Sequence, residues 1–67
     1  MQVKLNFKPV ECPPPGTLLA LLESLGLTDR KGIALAHNSR IVPRAHWEQT
    51  QLQENDSVTL IQATQGG

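Results

Sequence analysis

Residues 17–26 read Thr17-Leu18-Leu19-Ala20-Leu21-Leu22-Glu23-Ser24-Leu25-Gly26, and this stretch decides how the rest of the chain must be arranged. Leu18, Leu21, Leu22 and Leu25 fall on one stripe at helical spacing. Thr17 stands where an N-cap belongs, and Gly26 suits the left-handed residue that closes a helix. A helix of about nine residues cannot persist alone in water, so its leucine face needs a sheet to lie on. Burying those stripe leucines at about 1.5–3 kcal/mol each is the largest single contribution to stability visible in the sequence.

Strand patterns lie on both sides of the helix. Val3, Leu5 and Phe7 alternate with Gln2, Lys4, Asn6 and Lys8, the period of a half-buried strand. Pro9 occupies the expected turn, and Val10-Glu11-Cys12 returns as the second strand of a hairpin. Pro13-Pro14-Pro15-Gly16 cannot continue a ladder, because three successive residues lack an N–H donor. After a polar turn over residues 27–32, Ile33–His37 and Arg40–Val42 read as strands joined at Asn38-Ser39. Pro43 ends that strand and opens a short helical turn as its first residue, with Trp47 bringing an apolar surface back to the core. Residues 53–56 form a loop, and Ser57 to Ala63 make the last strand. The order predicts an α+β fold in which one main helix packs across a mixed sheet of about five strands. The domain spans residues 1–63 and residues 64–67 form a tail, Thr64-Gln65-Gly66-Gly67, with no apolar residue to anchor it.

Composition narrows the function classes. The chain has 67 residues, six Lys or Arg against six Asp or Glu, one Phe, one Trp, no Tyr and a single cysteine. It holds one domain, and Val, Ile, Leu and Ala supply its core. A neutral chain without a basic stripe lacks the electrostatic footprint of nucleic-acid or anionic-membrane binding. Cys12 cannot form an intrachain disulfide, and with no second cysteine His37 and His46 do not complete a zinc site. No apolar run is long enough to span a bilayer. These features predict a soluble, cytoplasmic domain that binds no metal.

The tail carries the chemistry. Residues 64–67 span at most about 13 Å when extended, enough to enter a partner's cleft. Without a Cβ, Gly66 and Gly67 let an enzyme's groups close on the terminal carboxylate. A carboxylate is a poor acyl donor until activated; attack on the α-phosphate of ATP gives an acyl-adenylate from which a sulfur nucleophile can displace AMP. The chain has no GxxxxGK[ST] phosphate loop, so an ATP-using partner must perform that step.

Several segments together carry a family resemblance: Met1-Gln2-Val3-Lys4-Leu5-Asn6, Thr17 to Leu22, Ile33 to Asn38, Ile41-Val42-Pro43-Arg44 with Trp47, Asp56 to Leu60, and Gly66-Gly67. Over essentially its whole length the chain resembles the ThiS family, the sulfur carriers of thiamine (thiazole) biosynthesis. The resemblance implies a ubiquitin-like β-grasp fold and a carrier that acts as co-substrate rather than enzyme. It implies that a ThiF-type, E1-like adenylyltransferase activates Gly67 with ATP and that a sulfur donor protein converts it to a thiocarboxylate. A ThiG-type thiazole synthase then accepts the sulfur. No cofactor is held by the carrier itself. Gly67 is the reactive position, Gly66 and Gln65 present it, and Ile61, Ala63 and Arg44 form a candidate partner patch. Ile61 and Ala63 are apolar on the outer, otherwise polar face of the sheet.

Competing readings remain open at this point: a sulfur carrier for molybdopterin or another route, a ubiquitin-like modifier using the same glycine, and a binding module whose diglycine is incidental. Cys12, at an alternating strand position beside prolines, reads as a small buried hydrophobe rather than a nucleophile. His37 at a strand end and His46 on an exposed turn do not read as an acid–base pair, and Trp47 reads as a core cover.

Overall fold

The computed structural model describes residues 1–62. The chain forms β1 (Gln2–Leu5), β2 (Lys8–Glu11), α1 (Leu18–Ser24), β3 (Ile33–His37), β4 (Arg40–Val42), a 3-10 helix (Arg44–Gln49) and β5 (Ser57–Gln62). The five strands make one sheet in the order β2-β1-β5-β3-β4. β1 and β5 run parallel, with Leu5 beside Val58, while the other neighbours are antiparallel. Parallel neighbours cannot be joined by a tight turn. The intervening chain therefore crosses over one face of the sheet, and α1 lies in that crossover. The expected mixed sheet with one helix is the fold observed.

Register sorts the side chains. Val3 faces Val10, Leu35 faces both Leu60 and Val42, and Leu5 faces Val58. These residues share the inner face, where Val3, Leu35 and Val58 are sealed from solvent together with Leu18, Leu21 and Leu22 of α1. Trp47 closes the core from the 3-10 helix, its ring buried and its Nε1–H donating to the Val42 carbonyl at 2.9 Å. That bond lets a large indole be buried without an orphaned donor. Leu52, which the strand and helix patterns do not pick out, is buried beside it.

α1 is bounded as its sequence suggests. Thr17 Oγ1 accepts from the Ala20 N–H at 3.1 Å. At the other end Gly26, at φ +72°, donates to the Glu23 carbonyl, and Leu27 donates to the Leu22 carbonyl at 3.0 Å. This paired closure is a Schellman motif, which wants a residue free to adopt positive φ. It also shortens the helix to seven residues, not nine. Leu25 becomes the C-cap and is 39% exposed, so it leaves the expected stripe, while Leu27 packs against the core in its place.

Two further expectations are corrected. Pro9 lies inside β2, not at a turn; the hairpin turns at Asn6-Phe7, both at positive φ (51° and 71°). β2 is an edge strand, where a residue without an N–H is tolerated. Phe7 consequently leaves the β1 alternation and stands exposed. Pro43 is the N-cap of the 3-10 helix, extended at ψ 149°, and the helix begins one residue later than expected. The second hairpin turns at Asn38-Ser39 as read, again with both φ values positive, the two-residue geometry that matches strand twist. Gly16 sits at φ +80° after the prolines, a backbone conformation that favours glycine.

Candidate functional site

β5 is the middle strand of the sheet, held by β1 on one side and β3 on the other. It delivers the chain to Gln62, which lies opposite Ile33 at the start of β3. β1 pairs with β5 only at Ser57 and Val58, so the exit end of the strand is held by its backbone pairing with β3. Ala63, Gln65, Gly66 and Gly67, and with them the boundary drawn between domain and tail, lie outside the described residues.

Around this exit end the outer face of the sheet is locally apolar. Register places Ile61 opposite Ala34, Thr59 opposite Ala36, and Ile41 opposite Ala36 on the far side. Ile61 is 45% exposed and Ile41 is 62% exposed, whereas Ala36 is covered. Ile61 thus stands where the alternation of the last strand put it, and Ile41 extends the same apolar strip. Alternation of β4 could have found Ile41, but a three-residue strand gives too short a pattern to read.

Arg44 has a second set of contacts. Its Nη1 donates to the Thr28 carbonyl and its Nη2 to the Arg30 carbonyl, each at 2.9 Å, and its guanidinium carbon lies 4.6 Å from the centroid of the Trp47 ring. Fork geometry and a flat cation suit this double role. Arg44 therefore ties the loop after α1 to the 3-10 helix. The same loop carries Arg30, whose Nη1 approaches Gln62 Oε1 at 3.5 Å beside the chain exit.

Elsewhere the candidate nucleophiles and bases are engaged structurally. Cys12 is buried, and burial pushes its thiol pKa above the ordinary value, which favours the protonated thiol. His37 and His46 are not brought together as a pair. His37 Nε2 lies 2.7 Å from Asp56 Oδ2, and His46 is exposed on the 3-10 helix. Asp56 also accepts from Gln53 N–H at 2.9 Å and from Asn38 Nδ2 at 3.3 Å, while Asn38 Oδ1 accepts from Ser57 N–H. Burial raises the Asp56 pKa, but hydrogen bonds from His37, Gln53 and Asn38 outweigh it and hold the carboxyl below its ordinary value. This network pins the start of β5. Its members come from two short segments, residues 37–38 and 53–57, that only the fold brings together, and they carry no motif that the sequence would show.

Among the described residues no group of three or more His, Cys, Asp or Glu is placed to hold a metal ion, and no helix is long and apolar enough to cross a membrane. A concavity of about 280 Å³ is lined by Met1, Cys12 and Pro13 to Gly16. It lies at the opposite end of the β1–β2 hairpin from the Asn6-Phe7 turn and hence away from the chain exit.

Comparison with known proteins agrees with this anatomy. The chain is 39% identical over 67 residues to the sulfur carrier protein ThiS of Escherichia coli (strain K12), covering all of both chains. Its structure superposes on the crystal structure of the thiamine biosynthesis protein ThiS from Geobacter metallireducens with a TM-score of 0.80. That match covers 100% of both chains at 20% identity and establishes the shared β-grasp fold. The ThiS family profile matches residues 3–67, from the first strand through the terminal diglycine. With fold, length and tail all accounted for by one set of relatives, the chain belongs to the ThiS family.

Proposed function

We propose that this chain is a sulfur carrier of thiamine (thiazole) biosynthesis that works on the C-terminal carboxylate of Gly67. The observation that carries the reading is the full-length family match, which runs through Gly67, on a chain whose central strand leads straight to the tail. A ThiF-type, E1-like enzyme holds ATP, and the Gly67 carboxylate attacks its α-phosphate, releasing pyrophosphate. Hydrosulfide (HS⁻), released at the sulfide level by a sulfur donor protein, then forms a C–S bond to the acyl carbon as the bond to AMP breaks and AMP leaves. The resulting thiocarboxylate delivers sulfur to a ThiG-type thiazole synthase. Gly66 and Gln65 provide reach and clearance, and Ile61 with Ala63 forms the adjoining contact surface. The work is placed in the cytoplasm with the ATP-using partner.

The domain's part is presentation. Pairing of Gln62 with Ile33 on β3 fixes where the described strand ends, so a partner that docks on the sheet meets the carboxylate within the reach of the five residues that follow. Intact mass spectrometry after incubation with ATP, the E1-like enzyme and a sulfur donor tests the proposal. The expected result is a mass gain equal to exchanging one oxygen for sulfur, absent when Gly67 is deleted. An unchanged mass with competent partners would refute it, and lysine adducts would favour a protein modifier instead.

A further inference from the structure

Phe7 is the most exposed large apolar side chain among the described residues, at 91%, and it makes no part of the core. It also occupies the second position of a two-residue hairpin turn at φ +71°, where glycine is the residue without steric cost. Folding therefore gains nothing from an aromatic here and is burdened by its conformation, of the order of 1–2 kcal/mol for a non-glycine residue in the left-handed region. Yet the turn is held firmly. Asn6 N–H donates to the Val58 carbonyl and Asn6 Oδ1 accepts from Leu60 N–H, each at 2.9 Å. These bonds lock the turn to β5, so Phe7 is an exposed ring on a rigid mount.

The mount faces the working end of the molecule. β1 and β5 are parallel, so the turn that follows Leu5 lies at the end of the sheet toward which β5 runs. Leu60, bonded to Asn6, precedes Gln62 by two residues of strand, about 7 Å. The five residues after Gln62 can reach at most about 17 Å. Any enzyme that holds the Gly67 carboxylate in its active site must then bring its surface against this end of the sheet. Thr64, Gln65, Gly66 and Gly67 carry no large apolar side chain, so an apolar anchor for that enzyme has to come from the domain.

The geometry points to Phe7 as an anchor residue for the adenylating enzyme, its ring entering an apolar pocket on that partner. This inference rests on the carrier reading above. Aromatic anchors that fill a partner's pocket dominate binding energy, and their truncation weakens binding by ten-fold or more.

The test is steady-state kinetics of ATP-dependent adenylation of the full chain by the E1-like enzyme, comparing wild type, Phe7→Gly and Phe7→Tyr. Phe7→Gly is expected to raise the carrier's KM about ten-fold with kcat unchanged. Its thermal midpoint should equal or exceed wild type because the turn is relieved, which separates docking from folding. Phe7→Tyr should keep the wild-type KM. An unchanged KM for Phe7→Gly, or a defect only in sulfur delivery to the acceptor enzyme, would overturn the inference while leaving carriage intact. A wild-type chain that is never adenylated would overturn both.

Discussion

Replacing Asp56 by Ala should cost this domain a large part of its stability. The carboxylate accepts three hydrogen bonds, from His37 Nε2, Gln53 N–H and Asn38 Nδ2, and its side chain is only 16% exposed. Net contributions of about 0.5–1.5 kcal/mol per bond, reduced for the long contact to Asn38, give about 2–3 kcal/mol. Domains hold about 0.05–0.15 kcal/mol per residue, so a chain this size has roughly 3–10 kcal/mol to lose. Urea unfolding followed by Trp47 fluorescence at neutral pH measures the difference directly. The pH dependence supplies a second check. The folded carboxyl titrates below its ordinary value of 3.8, so its stabilisation is complete above that pH and is lost as pH falls through the folded value. Wild type should therefore lose stability on acidification below about pH 4, and Asp56→Ala should lose less over the same interval. A destabilisation under about 0.5 kcal/mol, or identical acid profiles, would refute the assignment of Asp56 as the brace of β5.

Two other perturbations follow from the core. Leu22→Asp places a carboxylate at a position sealed between α1 and the sheet, and the expected outcome is an unfolded chain by circular dichroism; a melting curve like wild type would contradict the packing. Cys12, buried and with its pKa raised by burial, should resist iodoacetamide at mildly alkaline pH and react readily in denaturant, whereas rapid alkylation of the folded chain would show the site to be open.

The parts of the fold that sequence reading reached are those governed by local chemistry. The leucine spacing and Thr17 announce α1, Gly26 its closure, and Asn38-Ser39 the second hairpin. The first hairpin is hidden in the sequence because Phe7 disguises the turn. An apolar residue extends the alternation of Val3 and Leu5, and Pro9 then looks like the break, although an edge strand accommodates it. Leu25 was over-counted because a Schellman closure ends the helix one residue before its stripe does. At the site, the exposure of Ile61 could be read from alternation, whereas the grip of Arg44 on the loop after α1 and the contact of His37 with Asp56 could not. Those link residues 14 to 19 positions apart and exist only once the sheet has formed.

The central place of β5 has a mechanical consequence. A partner that draws the carboxylate into its active site pulls on the chain beyond Gln62, roughly along the strand axis. Inter-strand hydrogen bonds lie across that axis, toward β1 on one side and β3 on the other. Such a load puts the β3 ladder, and the short pairing of Ser57 and Val58 with β1, in shear, so their bonds share it instead of opening one at a time. A pull on the terminus along the strand axis therefore loads the sheet in the direction in which it best resists unravelling.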